Sequence, residues 1–256
     1  MARLSVLPTR LAAVAAVALG LGAAAAPAAL AADALSKAQA DQVREIVREY
    51  LIENPEVLVE AMQVLDARQQ AAAEQAQKEA LKTHAEQIFN DPGSPVLGNP
   101  DGDVTLVEFF DYQCGYCKAV YPAVMKAAAE DKGLRVVMKE YPILGPESLY
   151  ASRAALASRE QGKYAEFHGA LMGHKGKLTE AAVDDLARKT GLDLDKLKAD
   201  MAGAAVEDQI GTTMALARVL GIRGTPAFVV GETLLPGAVP LERLKQEVAK
   251  ARQAGG

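Results

Sequence analysis

The two cysteines of the chain, Cys114 and Cys117, stand three residues apart, and this spacing most restricts how the surrounding segment can fold. They follow residues 104–110, a short β-prone run with few polar residues, typical of a central strand covered on both faces. Residues 118–130 favour a helix. Because positions i and i+3 share one helical turn, a strand followed by a helix brings the two Cβ atoms within reach of a disulfide.

A structural disulfide explains this pair poorly, because it would close a very small loop and remove little chain entropy. At the start of a helix, unpaired N–H groups and the positive end of the helix dipole stabilise a thiolate. We therefore expect Cys114, at or near the N-cap, to form the mixed disulfide with a substrate. Cys117 is more shielded, keeps a higher pKa and resolves that intermediate.

Structural zinc is the alternative use of two closely spaced cysteines. Such a site needs four ligands, usually two cysteine pairs or a pair with closely spaced histidines. The chain has no third cysteine, and His84, His168 and His174 are not suitably spaced. We predict no metal site and interpret the three histidines as packing or surface residues.

The order of elements indicates an α/β fold. A second β-prone run over residues 134–141 completes a strand–helix–strand unit. A mostly helical block follows, and then a strand entered through Pro226, a hairpin partner over 233–239 and a closing amphipathic helix. The sequence therefore predicts one α/β domain over residues 91–256, with a helical insertion at about 146–221.

Residues 32–90 are predicted to form a separate helical module. Ser36 and Gln39 fit a capping box, and Asn54 with Pro55 suits the N-cap and first position of a second helix. The apolar stripe of these helices cannot be buried by the module alone. Two outcomes are open: docking onto the main domain, or self-association of residues 33–90 into a homo-oligomer.

Residues 1–31 have the pattern of a secretory signal peptide: basic residues, an Ala-rich apolar run, and small residues before a cut near Ala31. An uncleaved membrane anchor is the alternative, but the run is shorter than the ~20 residues that span a bilayer. The formal net charge is -5 and no basic run is present, so nucleic acid is not an expected partner.

The cysteine segment and the late Thr225-Pro226 together resemble the DsbA family of thioredoxin-fold proteins, over about residues 95–253. Residues 46–58 resemble the N-terminal segment of ScsC-like members, some of which self-associate through it. The resemblance implies a thioredoxin-like fold with a helical insertion, preceded by the helical module. It also implies a periplasmic location and no cofactor.

The resemblance implies roles for residues around the cysteines. Pro226 would be a cis-proline beside the active site, with Thr225 before it; the alternative is an ordinary trans turn. Glu108 interrupts an apolar strand, so we expect a buried carboxyl with a raised pKa that relays a proton for Cys117. Its alternative is a polar edge position without a role. An acid on this strand is common in the family, which favours the first.

The intervening Gly115-Tyr116 differs from the Pro-His of the oxidase prototype and is similar to the pair of dimeric periplasmic disulfide isomerases. The first hypothesis is therefore a disulfide isomerase or reductase acting on misfolded secreted proteins and reset by a membrane redox partner. Gly115, Tyr116, Thr225 and Pro226 would contact the substrate. The alternatives are a monomeric dithiol oxidase that donates disulfides, and a copper-tolerance binding or chaperone module.

Overall fold

The computed structural model describes residues 35–255, so the predicted signal peptide and its cut near Ala31 lie outside the described residues. Three helices come first, followed by a mixed α/β region. The helices are α1 (Lys37–Glu53), α2 (Glu56–Thr83), α3 (Ala85–Phe89), α4 (Gly115–Glu130), α5 (Pro146–Ala157), α6 (Tyr164–Gly173), α7 (Glu180–Lys189), α8 (Leu194–Met201), α9 (Ala204–Val219) and α10 (Leu241–Gly255). The strands are β1 (Val96–Gly98), β2 (Val104–Phe110), β3 (Leu134–Glu140), β4 (Ala227–Val230) and β5 (Thr233–Pro236).

The five strands form one mixed sheet in the order β1-β3-β2-β4-β5. β2 is paired on both sides, parallel to β3 and antiparallel to β4. Edge strand β1 runs antiparallel to β3, and β5 closes the other edge as the hairpin partner of β4. The central, doubly covered strand predicted at residues 104–110 is confirmed.

Both faces of the sheet are covered, because successive side chains of a strand point to opposite sides. Leu106 and Phe110 of β2 pack with the buried faces of α4 and α10 and with the helical insertion. Val107 and Phe109 point to the other face, where Leu81, Ile88 and the end of α9 pack against them. The end of α2 and the end of α3 therefore contribute to this core, through Leu81, Ile88 and Phe89.

A buried ion pair ties the segment after α3 to the sheet. The Lys139 side chain is 1% exposed, and its Nζ donates hydrogen bonds to Asp91 Oδ2 at 2.9 Å and to the Gln87 carbonyl at 2.7 Å. Burial alone would raise the pKa of Asp91, but hydrogen bonds from Gln209, Lys139 and Ser94 outweigh it and lower the pKa to about 2. The end of α3 and the residues that follow it are thus held to the sheet by polar contacts.

The chain divides into two compact units, residues 1–61 and 62–256, of which 35–61 and 62–255 are described. In the first unit, the predicted capping box at Ser36 and Gln39 is present. The prediction for Asn54 was wrong: it is the C-cap of α1, its side-chain amide donates to the Tyr50 carbonyl, and α2 begins at Glu56. The N–H of Val57 donates to the Asn54 carbonyl at 3.2 Å, so Asn54 and Pro55 form the turn that joins the two helices.

None of the α1 side chains is buried. Its apolar residues and those at the start of α2 are largely exposed, including Ile46 at 64% and Ile52 at 68%. A groove of about 510 Å³ lies on this unit, lined by Val43, Arg44, Val47, Arg48, Leu51, Ile52 and Leu58. Within residues 35–255, no helix combines the length and apolar character needed to cross a membrane.

Candidate active site

Cys114 occupies the N-cap of α4, as its spacing from the strand predicts. Its backbone is extended, and the N–H of Cys117 in the first turn points to its Sγ at 3.4 Å. The thiol donates a hydrogen bond to the Thr225 carbonyl at 3.2 Å. Both thiols are free, and Cys114 is 6% exposed whereas Cys117 is fully buried. Cys117 is therefore the more shielded of the two thiols, as predicted.

The Thr225–Pro226 peptide bond is cis, in agreement with the expectation. It precedes β4, and the pairing of β4 with β2 brings this turn beside Cys114. A cavity of about 350 Å³ adjoins it. The lining residues are Gly221, Ile222, Arg223, Gly224, Thr225, Pro226, Ala227, Leu234, Pro236 and Gly237.

Gly115 and Tyr116 lie on the surface at the start of α4. The Tyr116 side chain is strongly exposed, at 72%. A Cβ added at Gly115 would meet no neighbouring atom within 4 Å. These two positions are therefore accessible to a second chain that approaches Cys114.

Burial raises the pKa of Cys117 well above its usual range. A backbone hydrogen bond with Asp111 acts in the opposite direction, and the nearby charges of Glu108 and Cys114 add to the rise. The Cys117 thiol is therefore held in its protonated form. Attack by this sulfur requires that its proton be removed.

Glu108 is fully buried on β2, on the same strand face as Leu106 and Phe110. Neither carboxyl oxygen has a hydrogen-bond partner among the described residues. Burial raises its pKa from 4.5 to about 8. The expected burial and raised pKa are both present, and the charge of Glu108 contributes to the raised pKa of Cys117.

Two family models match the chain. One, a DSBA-like thioredoxin domain, matches residues 105–249 and includes the cysteine pair, the helical insertion and the cis-proline turn. This chain belongs to the DsbA-like thioredoxin family. The second is the N-terminal domain of the copper resistance protein ScsC, and it matches residues 39–72. The thioredoxin-like fold and the ScsC-like N-terminal segment predicted from the sequence are thereby confirmed.

Solved structures of this family resemble the chain over most of their length. A thioredoxin-like oxidoreductase from Silicibacter pomeroyi is 50% identical, with a TM-score of 0.65 over 66% of this chain and 97% of that protein. ScsC from Proteus mirabilis, in a transitional conformation, is 34% identical, with a TM-score of 0.64 over 86% of this chain and 98% of that one.

Some curated relatives are much longer proteins that match this chain over only one region. The Na(+)/H(+) antiporter NhaA 1 of Salinispora arenicola is 30% identical over 158 residues, which are 61% of this chain. The matched region spans only 24% of that antiporter's length. The similarity therefore concerns a family domain within a larger protein.

A buried polar cluster behind the DsbA-like site was missed by the sequence analysis. The Tyr112 hydroxyl donates to Glu140 Oε1 at 3.0 Å and lies 2.8 Å from His168 Nδ1, and Tyr164 donates to the same carboxyl oxygen at 3.0 Å. Burial raises the pKa of Glu140 to about 8, although the tyrosines oppose this, and burial lowers the pKa of His168 to about 3. In the sequence, the indication of this cluster was a polar residue, Glu140, at the end of a mostly apolar strand.

Among residues 35–255, no three or more His, Cys, Asp or Glu side chains are grouped as metal ligands would be. His84 lies before α3, His174 ends α6, and neither approaches the cysteine pair within hydrogen-bond distance.

The raised pKa of Glu108 predicts a pH-dependent cost in stability. As pH rises from 4.5 to about 8, the unfolded chain loses this proton while the folded chain keeps it, so the free energy of unfolding falls. We expect Glu108→Gln to unfold at higher denaturant concentration than the parent at pH 7. With both cysteines reduced, the free energy of unfolding of the variant at pH 7 should exceed that of the parent by about 2–3 kcal/mol. This difference should vanish near pH 4.

The control is Glu79→Gln on the exposed part of α2, which should change the free energy of unfolding by less than about 0.5 kcal/mol. Urea unfolding followed by circular dichroism at several pH values makes the comparison. A Glu108→Gln protein that is no more stable than the parent at pH 7 would show that this carboxyl is solvated.

Proposed function

We propose that this chain is an exported thiol–disulfide oxidoreductase that isomerises or reduces disulfides in misfolded secreted proteins. The observation that carries the proposal is the thiol of Cys114 at the N-terminus of α4, with Cys117 buried one turn behind it. Unpaired N–H groups and the helix dipole at this position stabilise a developing thiolate. Thiolate attack on a disulfide is the chemistry that such a site favours.

The first step is attack by the Cys114 thiolate on one sulfur of a client disulfide. The client S–S bond breaks, a Cys114–client disulfide forms, and the second client sulfur leaves as a thiolate. The client backbone would lie along the Thr225–Pro226 turn and over Gly115 and Tyr116. In isomerisation, a different client thiolate then attacks the mixed disulfide and releases Cys114 unchanged.

The second route resolves the intermediate through Cys117. Its sulfur attacks Cys114 Sγ, the intramolecular disulfide forms, and the second client thiol is released, so that two electrons pass to the client. The Cys117 proton must leave first, and Glu108 is the buried carboxyl that can take it. With a pKa of about 8, it is ionised in roughly a tenth of molecules at pH 7, so resolution should accelerate as pH rises.

Self-association of the N-terminal helices is part of the proposal. The apolar side chains of α1 are exposed, and they line a groove with few polar atoms. Burying such a surface between copies contributes roughly 25 cal/mol per Å². An assembly of this kind would present several thiol pairs around one misfolded client.

The proposed location is the periplasm, after removal of residues 1–31. An isomerase acts in its dithiol form, so we propose that a membrane redox partner returns electrons to Cys114 and Cys117. In the oxidase alternative, electrons flow in the opposite direction. In the copper-tolerance alternative, the soft thiolates bind Cu(I) or the chain acts as a chaperone.

The two cysteines should give opposite results when each is replaced by serine. Cys117→Ser retains the attacking sulfur but lacks the resolving one, so a mixed disulfide with a client should accumulate. Cys114→Ser is the matched control and should accumulate little adduct, because Cys117 is buried and protonated. Non-reducing gels and mass spectrometry of each variant with a disulfide-bonded client measure this. Equal trapping by both variants would contradict the assigned roles.

Refolding of a scrambled multi-disulfide client tests the isomerase assignment. A truncation at residue 91, the predicted domain boundary, would remove Leu81 and Ile88 from the core, so the shortened chain should begin near residue 73. We expect residues 32–256 to restore client activity and the shortened chain to lose at least about tenfold in rate, since linked sites gain effective concentration.

A substitution in the groove provides a second comparison in the full-length mature chain. Val47→Glu places a charge on the apolar surface and should lower both oligomer size and isomerase rate, whereas Glu49→Gln, exposed on the same helix, should change neither. If no protein restores the client but all oxidise a reduced one, the oxidase alternative holds. Cu(I) binding without thiol exchange would favour the copper alternative.

A further inference from the structure

Asp111 lies in the short loop between β2 and α4 and is fully buried. Its carboxyl group accepts four hydrogen bonds. Oδ1 accepts from the N–H of Gln113 and the hydroxyl of Ser148, both at 2.7 Å, and Oδ2 accepts from the N–H groups of Ile143 and Leu144 at 2.8 and 3.0 Å. Three of the donors belong to the segment after β3, so one side chain joins the cysteine loop to a neighbouring loop.

The backbone of the same residue contacts both cysteines. Its carbonyl accepts the N–H of Cys114 at 3.0 Å, and a backbone hydrogen bond with Asp111 moderates the rise in the pKa of Cys117 that burial causes. Side-chain and backbone contacts of one residue thus fix where the helix begins. A shift of this loop would move Cys114 relative to the N–H groups of the first turn.

We propose that Asp111 is a positioning residue that holds Cys114 at the N-cap of α4, and so sets the reactivity of its thiol. This inference rests on the thiol exchange proposed above. The Asp111 side chain meets amide and hydroxyl donors and no sulfur atom, so it acts on Cys114 through the loop. The nearby loop residue Gln113 strengthens the attachment, since its side-chain amide donates to the Leu178 carbonyl of the helical insertion at 3.2 Å.

Asp111 could act on Cys114 through its negative charge or through the position of the loop, and the two effects would shift the ionisation of Cys114 in opposite directions. A buried negative charge near Cys114 disfavours the thiolate, so removing the charge alone would make the thiol ionise at lower pH. Releasing the loop withdraws Cys114 from the helix N-terminus and makes it ionise at higher pH. The direction of the change therefore separates the two roles.

The test is the pH profile of iodoacetamide alkylation of Cys114 in the reduced mature chain. In Asp111→Asn, the NH₂ group faces either the N–H groups of Ile143 and Leu144, or the Gln113 N–H and the Ser148 hydroxyl, which can itself accept. The loop therefore loses one or two of its attachments. We expect the profile to move to higher pH and alkylation at pH 7 to slow about tenfold. Ser148→Ala removes one donor and keeps the charge, so it should move the profile in the same direction by less.

Val248→Ala, on the buried face of α10, is the control for general destabilisation and should leave the profile unchanged. A profile of Asp111→Asn that is unchanged or moves to lower pH would overturn the proposal. If that variant does not fold, Ser148→Ala decides alone, and an unchanged profile overturns the proposal. Alkylation involves no client, so its outcome is independent of whether the wild-type chain isomerises scrambled proteins.

Discussion

The pairing of β2 with strands on both sides is the constraint on which the rest of the site depends. Phe109 lies opposite Ala227 of β4, which sets the Thr225–Pro226 turn beside the end of β2. Phe110 lies opposite Glu140 of β3, which brings the following loop against Asp111. The chain leaves β2 between these two loops and enters α4. Cys114 therefore lies at the helix N-terminus and within hydrogen-bond distance of the Thr225 carbonyl.

Two carboxyl groups are buried on this sheet in spite of the cost of desolvation. Glu108 and Glu140 both have a pKa raised to about 8 by burial. Their environments differ, since Glu140 accepts hydrogen bonds from two tyrosines whereas Glu108 has no protein partner among the described residues. Local departures from an apolar core of this kind are expected at functional sites. The unpaired group is the one whose charge acts on Cys117.

Much of this arrangement follows from local sequence. The strand at residues 104–110 and the N-cap position of Cys114 depend on a few neighbouring residues, and the sequence predicts both. The three-residue β1 was missed, because so short an edge strand carries no periodic pattern. The wrong prediction at Asn54 also concerns a local feature. An asparagine between two helices can cap the end of the first or the start of the second.

The polar cluster could not be predicted, because its members come from distant parts of the chain. Tyr112 and His168 are 56 residues apart, and Tyr112 and Glu140 are 28 apart. His168 was interpreted as a packing or surface residue; it is buried, and its hydrogen bond to Tyr112 depends on how the helical insertion packs on the sheet. The hydrogen bonds that Asp111 accepts could not be predicted either, because strand pairing alone brings their donors at 143–148 close to it.

The structure predicts that one thiol of the pair, Cys114, is reactive and that the other, Cys117, is protected by burial. Brief iodoacetamide treatment of the native, fully reduced chain at neutral pH, followed by peptide mass spectrometry, measures this directly. We expect rapid labelling of Cys114, and almost no labelling of Cys117 until the protein is unfolded. Labelling of both cysteines at similar rates in the native chain would contradict this prediction.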